Sequence, residues 1–332
     1  MASESSSKER IELVIPADDL ILPFQADQAD VVGRLVKLGP VVDTILSRHD
    51  YPEPVSQLLG EAVALTALLG AALKFEGKFI LQASTDGPVD LLVADYQVPG
   101  QLRGYARFSA DRVAAIAGGD SETSQLLGQG HFAMTIDRGS EMERYQGVVP
   151  LEGESLTEAA DTYFRQSEQL PTFIRLAVAK HYRAGQAERP WTWRAGGLLV
   201  QKLTREGGHG PSGGDFEEED WMRARALAET VEDHELLDPM LSTERLLYRL
   251  FHEEGVRVFD PRPLAFACTC SRQRVDATLQ ALGERECIEA VDADGYVDIT
   301  CEFCNQRYRL DRVDIAGLFA PSPPVEGPPT AQ

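Results

Sequence analysis

The cysteines of this chain are confined to one short stretch. All five cysteines of the 332-residue sequence lie between Cys268 and Cys304. Four of them form two close pairs, Cys268-Thr-Cys270 and Cys301-Glu-Phe-Cys304. Two close pairs separated by a small folding unit are typical of a four-cysteine zinc site, because each pair brings two sulfurs to one ion. The spacing therefore predicts that Cys268, Cys270, Cys301 and Cys304 bind one zinc ion as thiolates.

The Cys268-Thr-Cys270 pair is the unusual half of this pattern. In an extended chain its two Cα atoms would lie about 6.6 Å apart, at about 3.3 Å per residue. A metal bridges that span easily, whereas a disulfide there would be close to its outer limit of about 6.8 Å. Such a disulfide would be strained and reducible, which is typical of a regulatory bond. On spacing alone, a permanently reduced structural zinc ribbon explains the pattern equally well.

The segment around these cysteines has few apolar residues. We therefore expect the fold of 259–320 to depend on the metal, whose binding contributes on the order of 10 kcal/mol in small zinc modules. Oxidation of the thiolates would then release the metal and unfold the module with it. The fifth cysteine, Cys287, stands between the pairs, and we interpret it as a buried free thiol in a small apolar contact.

Hydrophobic periodicity predicts an α+β fold for the larger part of the chain. Helical spacing at 40–49 and 54–75 gives the second helix one buried face. After Gly77 the period changes to that of short strands separated by turn signals. The predicted strands are 78–84, 89–96, 101–108, 131–137 and 145–149, followed by 172–179 and 197–203. Between 149 and 172 a helix is predicted at 155–168, with Ser155 as its N-cap and Glu158 three residues later. A meandering antiparallel β-sheet packed with helices is the expected architecture.

A change in composition marks the end of this core. Residues 1–205 are predicted to form the α+β core domain, and Ile11, Leu13 and Ile15 look like its entry segment. A Gly-rich, strongly acidic stretch then opens a helical linker at 206–258, with amphipathic helices at 221–237 and 243–253. The zinc-binding domain is expected at 259–320. The Pro-rich tail at 321–332 is expected to be disordered.

The charge balance argues against a protein that binds nucleic acid. The net charge is −21, with a pI near 4.7, whereas a protein that binds nucleic acid normally carries a basic footprint. No nucleic-acid partner is therefore expected. The polar start MASESSSKER has no apolar signal-peptide core, and the most apolar stretch, 62–73, is too short to span a bilayer. The sequence thus predicts a cytoplasmic protein with no membrane partner.

Motifs for catalysis are not recognisable in the sequence. It has no Gly-x-Ser-x-Gly elbow and no P-loop, and the Gly128-Gln-Gly130 turn lacks the context of a dinucleotide site. The six histidines show no ligand spacing with one another. We therefore predict a protein that is not an enzyme.

Several segments together resemble a known family. The most specific are 252–275 (HEEGVRVFDPRPLAFACTCSRQRV) and 301–308 (CEFCNQRY). Core segments such as 79–96 (FILQASTDGPVDLLVADY) and 130–137 (GHFAMTID) agree as well. In these stretches, and in the same order from about residue 10 to 318, the chain resembles the heat shock protein 33 (33 kDa chaperonin) family of redox-regulated bacterial chaperones.

The resemblance implies a complete functional cycle. Cys268, Cys270, Cys301 and Cys304 would bind zinc in the reduced, inactive protein. Oxidation would pair Cys268 with Cys270 and Cys301 with Cys304, release the zinc and disorder the zinc domain and linker. The activated form would hold unfolding client proteins without ATP, commonly as a homodimer, and pass them to ATP-dependent refolding chaperones. The acidic, Gly-rich insertion near 206–220 and the extra Cys287 depart from the family pattern.

The residues themselves add a physical reason for this cycle and leave two alternatives. The apolar faces of the linker helices must be covered in the folded protein, so we expect clients to bind the linker and the sheet surface that it uncovers. One alternative is a zinc-ribbon regulator that binds nucleic acid. It is supported by a local group of arginines: Arg272, Arg274, Arg307, Arg309 and Arg312. The other is a thiol-disulfide oxidoreductase that uses Cys301 and Cys304.

Overall fold

The computed structural model describes residues 17–73, 76–116, 123–139, 144–183, 185, 188–203 and 214–320. The first part of the entry segment predicted at 10–25, with Ile11, Leu13 and Ile15, lies outside these residues, as do the Gly-rich start of the linker and the tail at 321–332. Contacts divide the chain into two units between Ala267 and Cys268. The predicted limits of the linker and of the zinc domain stay predictions.

The first unit is built from strands and helices in an irregular order. Among the described residues its strands are β1 (Leu20–Ala26), β2 (Val31–Leu38), β3 (Lys78–Thr85), β4 (Val89–Gln97), β5 (Gln101–Phe108), β6 (Gln129–Asp137), β7 (Tyr145–Glu152), β8 (Thr172–Tyr182), β9 (Trp191–Lys202), β10 (Val256–Val258), β11 (Arg262–Pro263) and β12 (Ala265–Phe266). Its helices are α1 (Pro40–Leu46), α2 (Glu53–Gly70), α3 (Ala110–Ile116), α4 (Leu156–Tyr163), α5 (Gly214–Glu229), α6 (Asp233–Leu237) and α7 (Thr243–Phe251).

The strands form two sheets of six strands each. In the first sheet the order is β10-β1-β2-β9-β8, and β11 also pairs with β1. In the second the order is β12-β5-β4-β3-β6-β7. All described pairings in these sheets are antiparallel except that of β12 with β5. The predicted α+β class with antiparallel sheets is confirmed, although the strands belong to two sheets where one was expected.

Helix α2 forms the centre of the larger core. The predicted buried face is confirmed at Leu58, Leu59, Ala62, Leu65 and Leu69, and most of the other residues of the helix are buried too. They pack in one cluster with apolar side chains from both sheets. A helix that is apolar around most of its circumference needs cover on every side. Among the described helices, none combines the length and the apolar character needed to cross a membrane.

The predicted cap of helix α4 is present. Ser155 accepts a hydrogen bond from the backbone N–H of Glu158, whose carboxylate accepts one from the backbone N–H of Ser155. This reciprocal pair satisfies two N–H groups that the start of a helix leaves without partners. The following residues, Phe164–Glu168, form a π-helical turn. It ends at Gln169, whose φ of 52° is left-handed.

Helices α5, α6 and α7 of the predicted linker cover one face of the first sheet. Their buried apolar members form a second core cluster with Leu22, Phe24, Leu198 and other sheet residues. At its centre the rings of Phe24 and Phe251 are stacked, with centroids 5.3 Å apart. On the helices and in the connection between α5 and α6, the buried members are Trp221, Ala224, Ala228, Val231, Leu236, Leu246, Leu247, Leu250 and Phe251. Burying each large apolar side chain contributes about 1.5–3 kcal/mol, so this cluster accounts for most of the attachment.

Two basic side chains of the sheet add polar anchors for the same helices. The buried ammonium of Lys37 donates to the backbone carbonyls of Asp238 (2.8 Å) and Leu241 (2.6 Å), between α6 and α7. Arg194 donates to the carbonyl of Leu237 and forms an ion pair with Asp18. Burial, together with the nearby Arg194 charge, lowers the pKa of Lys37 to about 8. The turn between α6 and α7 is therefore held to the sheet through its backbone carbonyls.

The second unit is small. Its described elements are α8 (Arg272–Leu282), α9 (Glu284–Glu289), β13 (Tyr296–Thr300), β14 (Arg307–Asp311) and α10 (Arg312–Phe319). Strands β13 and β14 form an antiparallel hairpin. Its apolar cluster has only five buried members, which are Leu279, Cys287, Val297, Leu310 and Ile315. A core of this size contributes too little to stabilise a fold by itself.

Two aromatic residues of α7 give a matched test of the linker packing. Phe251 is fully buried, whereas Tyr248 is 65% exposed on the same helix. Phe251→Ala is expected to lower the free energy of unfolding by about 3–5 kcal/mol through lost contacts and a cavity. Tyr248→Ala should change it by less than about 0.5 kcal/mol. Urea unfolding of both variants measures the difference, and equal losses would contradict the packing described above.

Candidate metal centre

Four cysteine side chains of the second unit converge on one point. The sulfurs of Cys268, Cys270, Cys301 and Cys304 all lie within 4.8 Å of one another. The Sγ atoms of Cys268 and Cys301 are 3.7 Å apart, and those of Cys270 and Cys304 are 3.3 Å apart. The two pairs that are separate in the sequence therefore form a single cluster.

Local backbone structure positions each pair. Cys268 and Cys270 lie in the irregular segment just before α8, whose N-cap Ser271 accepts a hydrogen bond from the N–H of Arg274. Cys301 and Cys304 lie in the turn between β13 and β14. The N–H of Asn305 donates to the carbonyl of Cys301 (2.8 Å), and Asn305 takes the left-handed φ of 57°. Asparagine is one of the few residues that adopt this conformation readily.

The distances fit a tetrahedral metal ion. With metal–sulfur bonds of about 2.3 Å, as for zinc, the corners of a regular tetrahedron are about 3.8 Å apart. The two sulfur separations of 3.7 and 3.3 Å are both slightly shorter than that value. The four thiols can therefore hold one metal ion after only small adjustments.

The electrostatics of the cluster also favour a cation. Burial opposes ionisation of Cys268, but hydrogen bonds from the Cys270 N–H and from neighbouring thiols outweigh it and lower the pKa of Cys268 to about 7. Burial raises the pKa of Cys304 and of Cys301. A first thiolate therefore forms near neutral pH, whereas further negative charge in the cluster is disfavoured until a cation compensates it.

Tyr308 of β14 belongs to the surroundings of the site and was missed by the sequence analysis. A hydrogen bond to Cys270, followed by burial, raises the pKa of Tyr308 to about 12. The tyrosine therefore stays protonated and supplies an O–H group to the cluster. A tyrosine four residues after a cysteine pair forms no recognisable sequence motif, because the β13–β14 register brings it to the site.

Cys287 is separate from the cluster. Its side chain is 1% exposed in the apolar core of the second unit, and its Sγ donates to the carbonyl of Leu279 at 3.4 Å. Burial raises the pKa of the Cys287 thiol. The interpretation of Cys287 as a buried free thiol in an apolar contact is confirmed.

Two observations bear on the alternative functions. Three of the five arginines that suggested a basic patch are in ion pairs: Arg307 and Arg309 with Asp298, and Arg272 with Asp276 and Asp314. This compensation weakens the argument for nucleic-acid binding. The described cysteine unit has an antiparallel hairpin and not the β-α-β arrangement around a thioredoxin-like Cys-x-x-Cys.

The chain matches known proteins over most of its length. A family model described as Hsp33 protein matches residues 19–311. The chain belongs to the Hsp33 family. A 33 kDa chaperonin of Caulobacter vibrioides is 47% identical over 298 residues, which cover 89% of this chain and 95% of the relative. One from Pseudomonas putida is 42% identical over 310 residues, with 92% and 95% covered.

A solved structure of the Hsp33 family has the same fold. The crystal structure of a 33 kDa chaperonin from Thermotoga maritima superposes with a TM-score of 0.72 and covers 90% of this chain and 97% of its own. Sequence identity is 20%, so this comparison supports the fold alone. The predicted resemblance to the family is confirmed, whereas the individual roles of the four cysteines stay predictions.

Cys304 and Cys287 give a matched test of the candidate metal centre. Cys304→Ser should abolish stoichiometric metal binding, because three thiolates and a hydroxyl hold a soft metal much more weakly. Cys287→Ser should retain it. The measurement is metal content of the reduced protein by mass spectrometry, together with the thiolate-to-metal absorption after cobalt substitution. Full metal content in Cys304→Ser would exclude this residue as a ligand.

Proposed function

We propose that this chain is a redox-regulated, ATP-independent chaperone that binds unfolding proteins and does not turn over a substrate. The proposal rests mainly on one observation: the same unit contains a four-thiol cluster and an apolar core of five buried residues. Such a unit can be folded or unfolded by the chemical state of its thiols. Membership of the Hsp33 family and the name 33 kDa chaperonin of its relatives support the same activity.

The proposed resident metal is one zinc ion per chain in the reduced form. Zinc suits a site with four sulfur donors, because soft thiolates select zinc over hard cations such as magnesium. When bound, it would supply the positive charge that keeps four thiolates together. Cys268 and Cys270 would anchor it from the segment before α8, and Cys301 and Cys304 from the hairpin turn.

Oxidation of these thiols is the proposed activating step. In each disulfide two cysteine sulfurs lose two electrons in total to one molecule of peroxide, which takes up two protons and leaves as two molecules of water. Two molecules of peroxide would thus convert the four thiolates into the Cys268–Cys270 and Cys301–Cys304 disulfides. A disulfide sulfur is a poor metal ligand, so the unit would lose the metal and, with its small core, its fold.

The covered face of the first sheet is the proposed client-binding surface. Phe24, Leu22 and Leu198 lie under the linker helices and would be exposed if these helices came away. The chain between α7 and Cys268 is attached to the sheets by three strands of only two or three residues each. Short strands make few hydrogen bonds, so we infer that unfolding of the cysteine unit propagates to them and to the linker.

The remaining parts of the proposal concern partners and location. Unfolded or partly folded client proteins are the expected ligands, held by the oxidised form as a homodimer and handed to ATP-dependent refolding chaperones after reduction. The strongly acidic composition would keep a protein with an exposed apolar surface soluble. A cytoplasmic location fits a site that works through reversible oxidation.

Aggregation of a heat-unfolded client, followed by light scattering, tests the function. Peroxide-treated protein should suppress the aggregation at near-stoichiometric ratios, and reduced protein should not. Metal released on oxidation should rise together with the suppression, toward one zinc per chain. Cys287→Ser serves as the control and should behave as the unmodified chain does.

Two outcomes would contradict the proposal. Zinc retained after peroxide, with no gain in suppression, would make the site a static structural ribbon. Turnover of insulin disulfides by the reduced protein would favour the oxidoreductase alternative.

A further inference from the structure

The first unit contains a cavity that the proposed chaperone function does not use. It has a volume of about 470 Å³ and lies between the end of α2, strands β3 and β6 and the π-helical turn after α4. This volume is in the range of about 300–1,000 Å³ that is common for small-molecule sites. Its walls are mainly apolar, and include Leu69, Leu73, Phe79, Met134, Ile136 and Phe164.

Most of the polar groups that line the cavity have protein partners. The carboxylate of Glu168 accepts hydrogen bonds from the hydroxyls of Tyr163 (2.9 Å) and Tyr145 (3.4 Å). The side-chain amide of Gln201 donates to the hydroxyl of Thr172 at 3.3 Å. These groups form a satisfied polar wall and do not require a ligand.

Arg34 differs from the other polar residues that line the cavity. Its side chain is half-buried and lines the cavity, and in the part of the chain that the structure describes it takes part in no side-chain hydrogen bond or ion pair. On β2 it alternates with buried Leu35 and shares a face with Val36, so it lies on the α2 side of the sheet and not under the linker. Arginines are rarely buried without a paired anion, because the desolvation of the charge is then not compensated.

The positive charge of Arg262 adds to the uncompensated charge at Arg34. Burial, and after it the positive charge of Arg262, lower the pKa of Arg34 to about 10. Arg262 itself donates to the backbone carbonyl of Ala71. The Arg34 guanidinium thus stays charged at neutral pH, in a position where an anion would be strongly favoured.

We propose that this cavity binds an amphipathic monocarboxylate, with its carboxylate on the Arg34 guanidinium and its alkyl chain along the apolar wall. A carboxylate matches the planar, two-pronged donor pattern of a guanidinium. A single negative charge fits better than a phosphate dianion, because Glu168 lines the same cavity. The proposal does not depend on the redox mechanism.

Calorimetric titration of the reduced, metal-loaded full chain with monomeric decanoate tests this site. We expect one equivalent of decanoate to bind, and 1-decanol, which has the same chain without the charge, to bind at least tenfold more weakly. Arg34→Gln should weaken decanoate by about tenfold or more, the usual effect of losing a charged hydrogen-bond partner. Its affinity should then approach that of decanol for the unmodified chain.

Arg107→Gln is the matched control. Arg107 lies on β5 in the same unit, in an exposed ion pair with Asp90, and does not line the cavity. This variant should bind decanoate as the unmodified chain does. Thermal unfolding of Arg34→Gln, which we expect at or above the unmodified temperature because an unpaired, half-buried charge is removed, checks that its fold is retained.

Three results would overturn the proposal. The first is equal affinity of the unmodified chain for decanoate and decanol. The second is unchanged decanoate binding in a folded Arg34→Gln variant. The third is binding of several equivalents with equal sensitivity to Arg34→Gln and Arg107→Gln, which would indicate nonspecific attachment to surface charge. The comparison of the two ligands uses only the unmodified chain, so the test stands even if the variant does not fold.

Discussion

The charge state of the second unit is constrained by the repulsion that four neighbouring thiolates would exert on one another. Four sulfurs lie within 4.8 Å of one another, and at such distances several negative charges are stable together only around a cation. The rest of this unit contributes little, since its apolar cluster has five buried members. Under the proposed function, its fold is therefore tied to the oxidation and metallation state of four side chains.

The first unit, in contrast, is stabilised by a large apolar core. Its central cluster surrounds α2 with apolar residues from both sheets and needs no metal. The linker helices are intermediate in how firmly they are held, because they belong to this unit but are attached to only one face of one sheet. Their attachment combines the Phe24–Phe251 stack with the Lys37 and Arg194 hydrogen bonds to backbone carbonyls. Such a layer can detach while the core beneath it stays folded.

Much of this could be predicted from the sequence because the relevant signals are local. The cysteine spacing predicted the cluster, the 3.6-residue period predicted the buried face of α2, and Ser155 with Glu158 predicted the cap of α4. The strands of the second sheet follow turn signals and were found nearly to their ends. These features depend on residues that are close in the chain.

The features that were missed depend on distant residues. Strand β2 escaped prediction because it is buried on both faces near its end and contains Gly33, where a Cβ atom would overlap the ring of Phe24. Lys37 and Arg34 lie on that same strand, and a lysine or arginine in a sequence indicates an exposed position. The burial of Lys37 and the partial burial of Arg34 follow only from the pairing of β2 with β1 and β9 and from the helices on either side.

The central claim is that the state of the four thiols controls the attachment of the linker to the sheet. Hydrogen–deuterium exchange of the reduced, metal-loaded chain, compared with the reduced chain after chelation and with the oxidised chain, measures this directly. The account predicts faster exchange at 268–320 and at 218–251 in both metal-free states, with β3, β4 and β6 still protected. Unchanged protection of 218–251 while 268–320 exchanges freely would contradict it.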